Sequence, residues 1–181
     1  LSLAAERIYP DFATMASAEA TRHDGIDAVS IVTPNHVHFP AAKAFLEAGI
    51  PVICDKPLTS NGEDAAALAA VVARTGTPFV LTHNYTGYPM IRQARAMVEA
   101  GDLGELRLVH IEYIQDWLSE DLESEGVKQA AWRTDPKQSG AGGAIGDIGS
   151  HAFNLVSFTT QQRVERLSAQ LQSFVPGRRV D

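Results

Sequence analysis

Three short segments place side chains capable of chemistry directly after apolar, β-prone runs. They are Thr33-Pro34-Asn35 with His36 and His38, then Asp55-Lys56-Pro57, then His83-Asn84-Tyr85. In open α/β sheets, ligands bind outside the carboxyl ends of the strands, so the three segments mark one rim. Lys56 stands between a carboxylate and a proline. Pro57 fixes its own φ and steers the preceding residue away from helical geometry. A lysine held that way can point into a crevice and, once desolvated, serve proton chemistry. The plainer alternative is an exposed turn lysine, the commonest state of that residue.

A second constellation is Asp147 and His151 in Gly146-Asp147-Ile148-Gly149-Ser150-His151. Their spacing of four puts both on one face of a helix. An aspartate beside a histidine can fix its tautomer and stabilise the imidazolium. The alternative is a helix-start carboxylate near a core histidine. The preceding Ser139-Gly140-Ala141-Gly142-Gly143-Ala144 lets backbone approach a ligand closely. It lacks the glycine spacing of a phosphate loop and does not follow a short buried strand. His36 and His38 form a His-x-His pair without a third ligand nearby, and a zinc site needs at least three protein ligands, so no metal is expected. His110 and Glu112 read as solvated, and Cys54 reads as a small buried apolar residue.

These residues need elements to position them. A helix is predicted over Phe12 to Ala20 after the Pro10-Asp11 start signal. Ala28 to Thr33 is a short β-branched run suited to a strand buried on both faces of a parallel sheet. His36 to Ala48 reads as a helix with Val37, Ala41, Ala44, Phe45 and Ala48 on one stripe and Gly49 as its stop. The pattern repeats with a strand at Pro51 to Cys54 and a helix capped by Ser60 or Asn61 that carries Leu68, Val71 and Val72 to Gly76. A strand at Phe79 to His83 and a helix at Tyr88 to Ala100 follow. Strands alternating with helices imply right-handed crossovers and a doubly wound α/β sheet.

The rhythm changes after Gly101. Leu106 to Ile114 alternates like a longer strand with one wetter face. An acidic, loop-like stretch, Trp132-Arg133, the Gly-rich turn and a helix from about Ile145 to Phe158 follow, and Val164 to Phe174 alternates again. The expected division is residues 1–102, the C-terminal part of a Rossmann-like dinucleotide-binding domain, and residues 103–181, the start of an α+β domain. Apolar residues make up 45% of the chain and charged residues 20%, as in soluble globular domains. A net charge of −7 argues against a nucleic-acid partner. No apolar run approaches the roughly 18 residues that span a bilayer. The single cysteine allows no internal disulfide and suits a reducing cytoplasm. The first residues, without an initiating Met or a basic flank, read as a chain joined midway, and residues are expected to be missing at both ends.

Together these segments resemble the Gfo/Idh/MocA family, named for glucose–fructose oxidoreductase, inositol dehydrogenase and a rhizopine-catabolism protein. The resemblance rests on Val32-Thr33-Pro34-Asn35-His36-Val37-His38, on Ala48 to Leu58, on Gly101-Asp102-Leu103-Gly104-Glu105-Leu106, and on Gly142 to His151, four motifs in order. It implies an NAD- or NADP-dependent oxidoreductase that moves a hydride to or from a carbinol carbon of a sugar, inositol or related polyol. The family's Glu-Lys-Pro motif stands here as Asp55-Lys56-Pro57. That gives Lys56 the catalytic lysine role and Asp55 a contact with the cofactor ribose. The Asp-x-x-x-His pair falls on Asp147 and His151, with His151 as base and Asp147 as its orienter, so Lys56, Asp147 and His151 form a set drawn from both domains. Thr33, Pro34, Asn35 and His38 match the segment along the cofactor. Asn84, Tyr85, Trp132 and Arg133 match regions that meet substrate or cofactor. The resemblance further implies a large open, mostly antiparallel second sheet and assembly as a dimer or tetramer. Two alternatives stay open: a non-catalytic NAD(P)-binding regulatory protein, and NAD-assisted glycoside cleavage. The family's Gly-x-Gly-x-x-Gly turn for the pyrophosphate does not occur in these 181 residues, and Asn154 stands where an acidic residue is common in polyol-acting members.

Overall fold

The computed structural model describes residues 4–140, 142–172 and 174–175. The readings of both chain ends, of Ala141 in the Gly-rich turn and of Ser173 lie in whole or part outside the described residues. The chain divides into two compact units, Leu1–Thr82 and His83–Asp181.

In the first unit, α1 (Phe12–Thr21) starts at Asp11, whose extended backbone lets its carboxylate accept the Thr14 N–H at 2.7 Å. Strand β1 (Val29–Ile31), helix α2 (Asn35–Glu47), strand β2 (Val52–Asp55), helix α3 (Gly62–Thr75) and strand β3 (Phe79–Thr82) follow. Asn61 caps α3 by accepting the Asp64 N–H at 2.8 Å, and Glu63 and Asp64 place negative charge on its first turn. Gly76 ends α3 at φ 65°, a left-handed conformation that a side chain would strain. The sheet is parallel, in the order β1-β2-β3, with Val29 opposite Val52 and Val52 opposite Phe79.

The core lies between this sheet and its helices. Ile31, Val52 and Cys54 face Phe45, Leu46, Leu68 and Val71, all buried. Each large side chain here contributes roughly 1.5–3 kcal/mol by leaving water. The strands are not buried on both faces, as their apolar composition suggested. Burial alternates, and on the second face Ile53 is 41% and Val80 54% exposed. The topology explains this. A sheet that grows in one direction through right-handed crossovers carries both connecting helices on one face, and α2 indeed packs against α1, α3, β1 and β2.

The second unit is helical. Helix α4 (Pro89–Ala100) begins with Pro89, where a missing N–H costs nothing, and ends at Gly101 with φ 77°. Its Arg95 donates to Glu99 at 2.9 Å and stacks on Phe158 at 4.7 Å, and α4 packs along α7 (Ser150–Thr160). Helices α5 (Lys128–Thr134) and α6 (Pro136–Ser139) meet at Asp135, whose carboxylate accepts the Lys137 N–H. A wider π-type turn, Ile145–Gly149, leads into α7, so the expected helix is one helical run to Thr160.

Two predicted strands do not occur among the described residues. Leu106 to Ile114 and Val164 to Gln172 carry no strand structure, and no strand of the expected antiparallel sheet occurs among the described residues. Leu108, Ile114, Leu167 and Leu171 stand 72–86% exposed. Alternation sets which side chains share a face once a strand pairs, but a ladder needs a neighbour, and among the described residues neither segment has one.

Candidate active site

The first unit presents its polar groups where the parallel strands end. Asp55 closes β2, the central strand, and its Oδ1 accepts the Thr82 hydroxyl of β3 at 2.6 Å. This bond joins two strand ends and fixes the carboxylate beside Lys56. Lys56 is half-buried, and its peptide bond to Pro57 is cis. Thr33 is exposed two residues ahead of α2, while Asn35 is buried at that helix's first position.

His38 is fully buried. Its Nδ1 lies 2.7 Å from the Pro57 carbonyl and its Nε2 2.9 Å from the Thr33 carbonyl. The ring thus ties the Thr33 turn to the Lys56–Pro57 turn from below. His36 is exposed, and among the described residues no group of three metal-ligating side chains occurs. Cys54 is buried beneath the rim, and burial pushes its thiol from 9.0 up to about 12, with the Asp55 charge adding to the effect.

The second unit gathers the Asp-His pair with aromatic rings. Asp147 lies in the π-type turn and His151 one turn later, buried. The Tyr85 ring lies 4.3 Å from the His151 ring at 32°, and His83 meets it edge-on at 6.1 Å. The Tyr85 hydroxyl is 2.7 Å from the Tyr113 hydroxyl. That bond, then burial, then the charges of Tyr113, Tyr88 and Asp147 push the Tyr85 hydroxyl up to about 12. Asn84 is exposed. Trp132 and Arg133 lie on α5, and Arg133 Nε donates to Asp147 Oδ2 at 3.3 Å.

The Gly-rich turn makes its close approach to the protein's own backbone: a Cβ on Gly142 would stand 3.2 Å from the Gly146 nitrogen. The residue pattern did not single out Tyr113, Trp117 or Gln129. Tyr113 falls only at an alternating position of the Leu106 to Ile114 run, and Trp117 and Gln129 lie at no motif spacing. His110 Nε2 and Glu112 Oε1 are 3.5 Å apart in solvent, as their composition suggested.

Comparison with known proteins adds to this geometry. Residues 2–83 match the family described as "Oxidoreductase family, NAD-binding Rossmann fold", and residues 91–181 match "GFO/IDH/MocA C-terminal domain". A levoglucosan dehydrogenase from Pseudarthrobacter phenanthrenivorans is 32% identical over 84% of this chain and 37% of its own length. An oxidoreductase structure from Sinorhizobium meliloti is 51% identical with a TM-score of 0.82, covering 97% of this chain and 43% of the other. The structure of an inositol dehydrogenase homolog complexed with NAD+ from Azotobacter vinelandii is 39% identical with a TM-score of 0.80, covering 86% and 40%. The chain spans less than half the length of the curated relatives it matches.

The rim suits the nicotinamide–ribose half of such a cofactor. It offers a fixed carboxylate at Asp55, a cation at Lys56 and the polar Thr33 turn, all at strand ends. The Gly-x-Gly-x-x-Gly turn that would receive the pyrophosphate half does not occur in these 181 residues.

Proposed function

Because the chain belongs to the Gfo/Idh/MocA oxidoreductase family, we propose that its residues serve hydride transfer between NAD or NADP and a carbinol carbon of a sugar, inositol or related polyol. A nicotinamide held there would supply the carbon that accepts the hydride. Asp55, with Thr33, Pro34 and Asn35, would form the bed for the cofactor, with His38 bracing the Thr33 and Pro57 turns beneath it, and Asn84, Tyr85 and Trp132 would meet the substrate. The reacting hydroxyl gives its proton to His151, which Asp147 orients. The family resemblance gives Lys56 the hydrogen bond to the reacting oxygen and the stabilisation of the negative charge that develops there. Acid–base help of this kind accelerates a reaction by roughly 10²–10⁴.

The observation that carries the reading is the position of Lys56. It is half-buried and lies directly at the carboxyl end of the central parallel strand, next to a carboxylate held by Thr82. The test is a screen of the whole protein with NAD and NADP against sugars, inositols and anhydrosugars, following cofactor reduction. Reduction with at least one polyol is expected. Tight cofactor binding with no reduction across the panel would favour a regulatory binder, and release of free sugar from an aryl glycoside would favour glycoside cleavage.

A further inference from the structure

Within the second unit, Arg133 is built into its surroundings. Its guanidinium lies over the Trp132 ring at 4.1 Å, with the Trp117 ring at 5.6 Å. Nη1 donates to the Gln129 carbonyl at 3.1 Å and also to the Gln129 side-chain oxygen. Nε donates to Asp147 at 3.3 Å, and the two charged side chains are only 24% and 23% exposed. Asp147 stands one helical turn before His151. The family resemblance implies that Arg133 meets substrate or cofactor, and its contacts within the chain point to a further task.

We infer that Arg133 is a positioning residue: clamped by two indoles and Gln129, it holds the Asp147 carboxylate and sets how strongly that carboxylate acts on the His151 imidazole. The inference rests on the reading of His151 as the base. A carboxylate near an imidazole favours the imidazolium, and a cation on that carboxylate offsets the effect. Arg133 therefore weakens the hold of Asp147 on the His151 proton. Arginine suits the task because its planar fork can stack and bond in two directions at once, which a lysine cannot do.

Other groups face His151 as well. Tyr85 stacks on the ring and His83 meets its edge, and behind Tyr85 lie Tyr88 and Tyr113. Helix α4, packed along α7, carries Arg92, Arg95 and Glu99. Arg95 and Glu99 are paired with each other. Arg133 differs from all of these in acting through Asp147, and that difference can be isolated.

The sign follows from the charges. Replacing Arg133 by Gln removes the cation, Asp147 pulls harder on the imidazolium proton, and the neutral base appears only at higher pH. The acidic limb of polyol oxidation and the His151 titration midpoint should both rise, by roughly half a pH unit for a pair with this much exposure. Arg133→Lys keeps the charge and should bring the midpoint back towards the parent. Arg133→Gln made on an Asp147→Asn background should move nothing.

The experiment is an NMR titration of the His151 imidazole in the whole protein, assigned by its loss in His151→Ala, together with kcat and KM profiles on the best polyol of the panel. A raised midpoint with KM within about twofold of the parent is the expected result. An unmoved midpoint, with or without a large rise in KM, would overturn the inference and make Arg133 a substrate contact or a packing residue. The titration needs no turnover. A moved midpoint in a protein that oxidises no polyol would defeat the dehydrogenase reading and leave the Arg133–Asp147–His151 coupling standing.

Discussion

At the scale of single residues, Lys56 and His151 carry the proposed chemistry, and their removal should separate chemistry from binding. Lys56→Met and His151→Ala in the whole protein should each lower kcat by roughly 10²–10⁴, with cofactor affinity, read by fluorescence quenching, largely kept. Near-normal turnover in either variant would remove that residue from the mechanism. Cys54 offers a test of burial. Its folded pKa of about 12 exceeds the 9.0 of an open thiol, so the protonated form is favoured in the fold. That contribution to stability is complete below pH 9 and is lost as pH rises from 9 towards 12. Alkylation by iodoacetamide at pH 8 should therefore be slow in the native chain and fast in denaturant. His38 shows what motifs alone leave open. Beside Thr33-Pro34-Asn35 it looks like a rim residue, yet with Ala41, Ala42 and Phe45 it also follows the 3, 4, 7 spacing of a buried helix face, and those residues are buried together. Replacing His38 by Ala should cost about 2–4 kcal/mol in denaturant unfolding, because it removes a buried ring and its polar contacts with the Pro57 and Thr33 carbonyls.

At the scale of elements, local signals carried most of the first unit. Asp11 and Asn61 cap, Gly76 stops α3, and the helices begin and end beside them, as α4 of the second unit does at Gly101. Asn61→Ala should therefore destabilise the chain by about 1 kcal/mol through its lost cap. What local signals lack is the neighbour. The apolar strands β1 to β3 read as buried on both faces, but the face away from Phe45 and Leu46 leaves Ile53 and Val80 open. In the same way, Leu106 to Ile114 and Val164 to Gln172 alternate correctly yet pair with nothing among the described residues. Hydrogen exchange on this chain should find the amides of Val52 to Cys54 strongly protected and those of Leu106 to Ile114 exchanging freely. Equal protection of the two would show that the second segment is paired after all.

At the scale of the whole molecule, family membership and the parallel sheet agree with the motif order in the sequence, because those motifs sit at strand ends and helix starts that spacing makes visible. The packing of the second unit was less visible. Tyr85 on His151, and Arg133 between two indoles on Asp147, join residues far apart in the chain and obey no short period. The central claim is that a carbinol carbon gives up its hydride to a nicotinamide on this protein, with Lys56 at the reacting oxygen. The most direct measurement supplies the whole protein with NAD or NADP and with polyols deuterated at the carbinol carbons, and reads the label by mass spectrometry. Deuterium should appear in the reduced cofactor with the parent protein and fall away in Lys56→Met. Reduced cofactor without deuterium, or equal label transfer by Lys56→Met, would contradict the account.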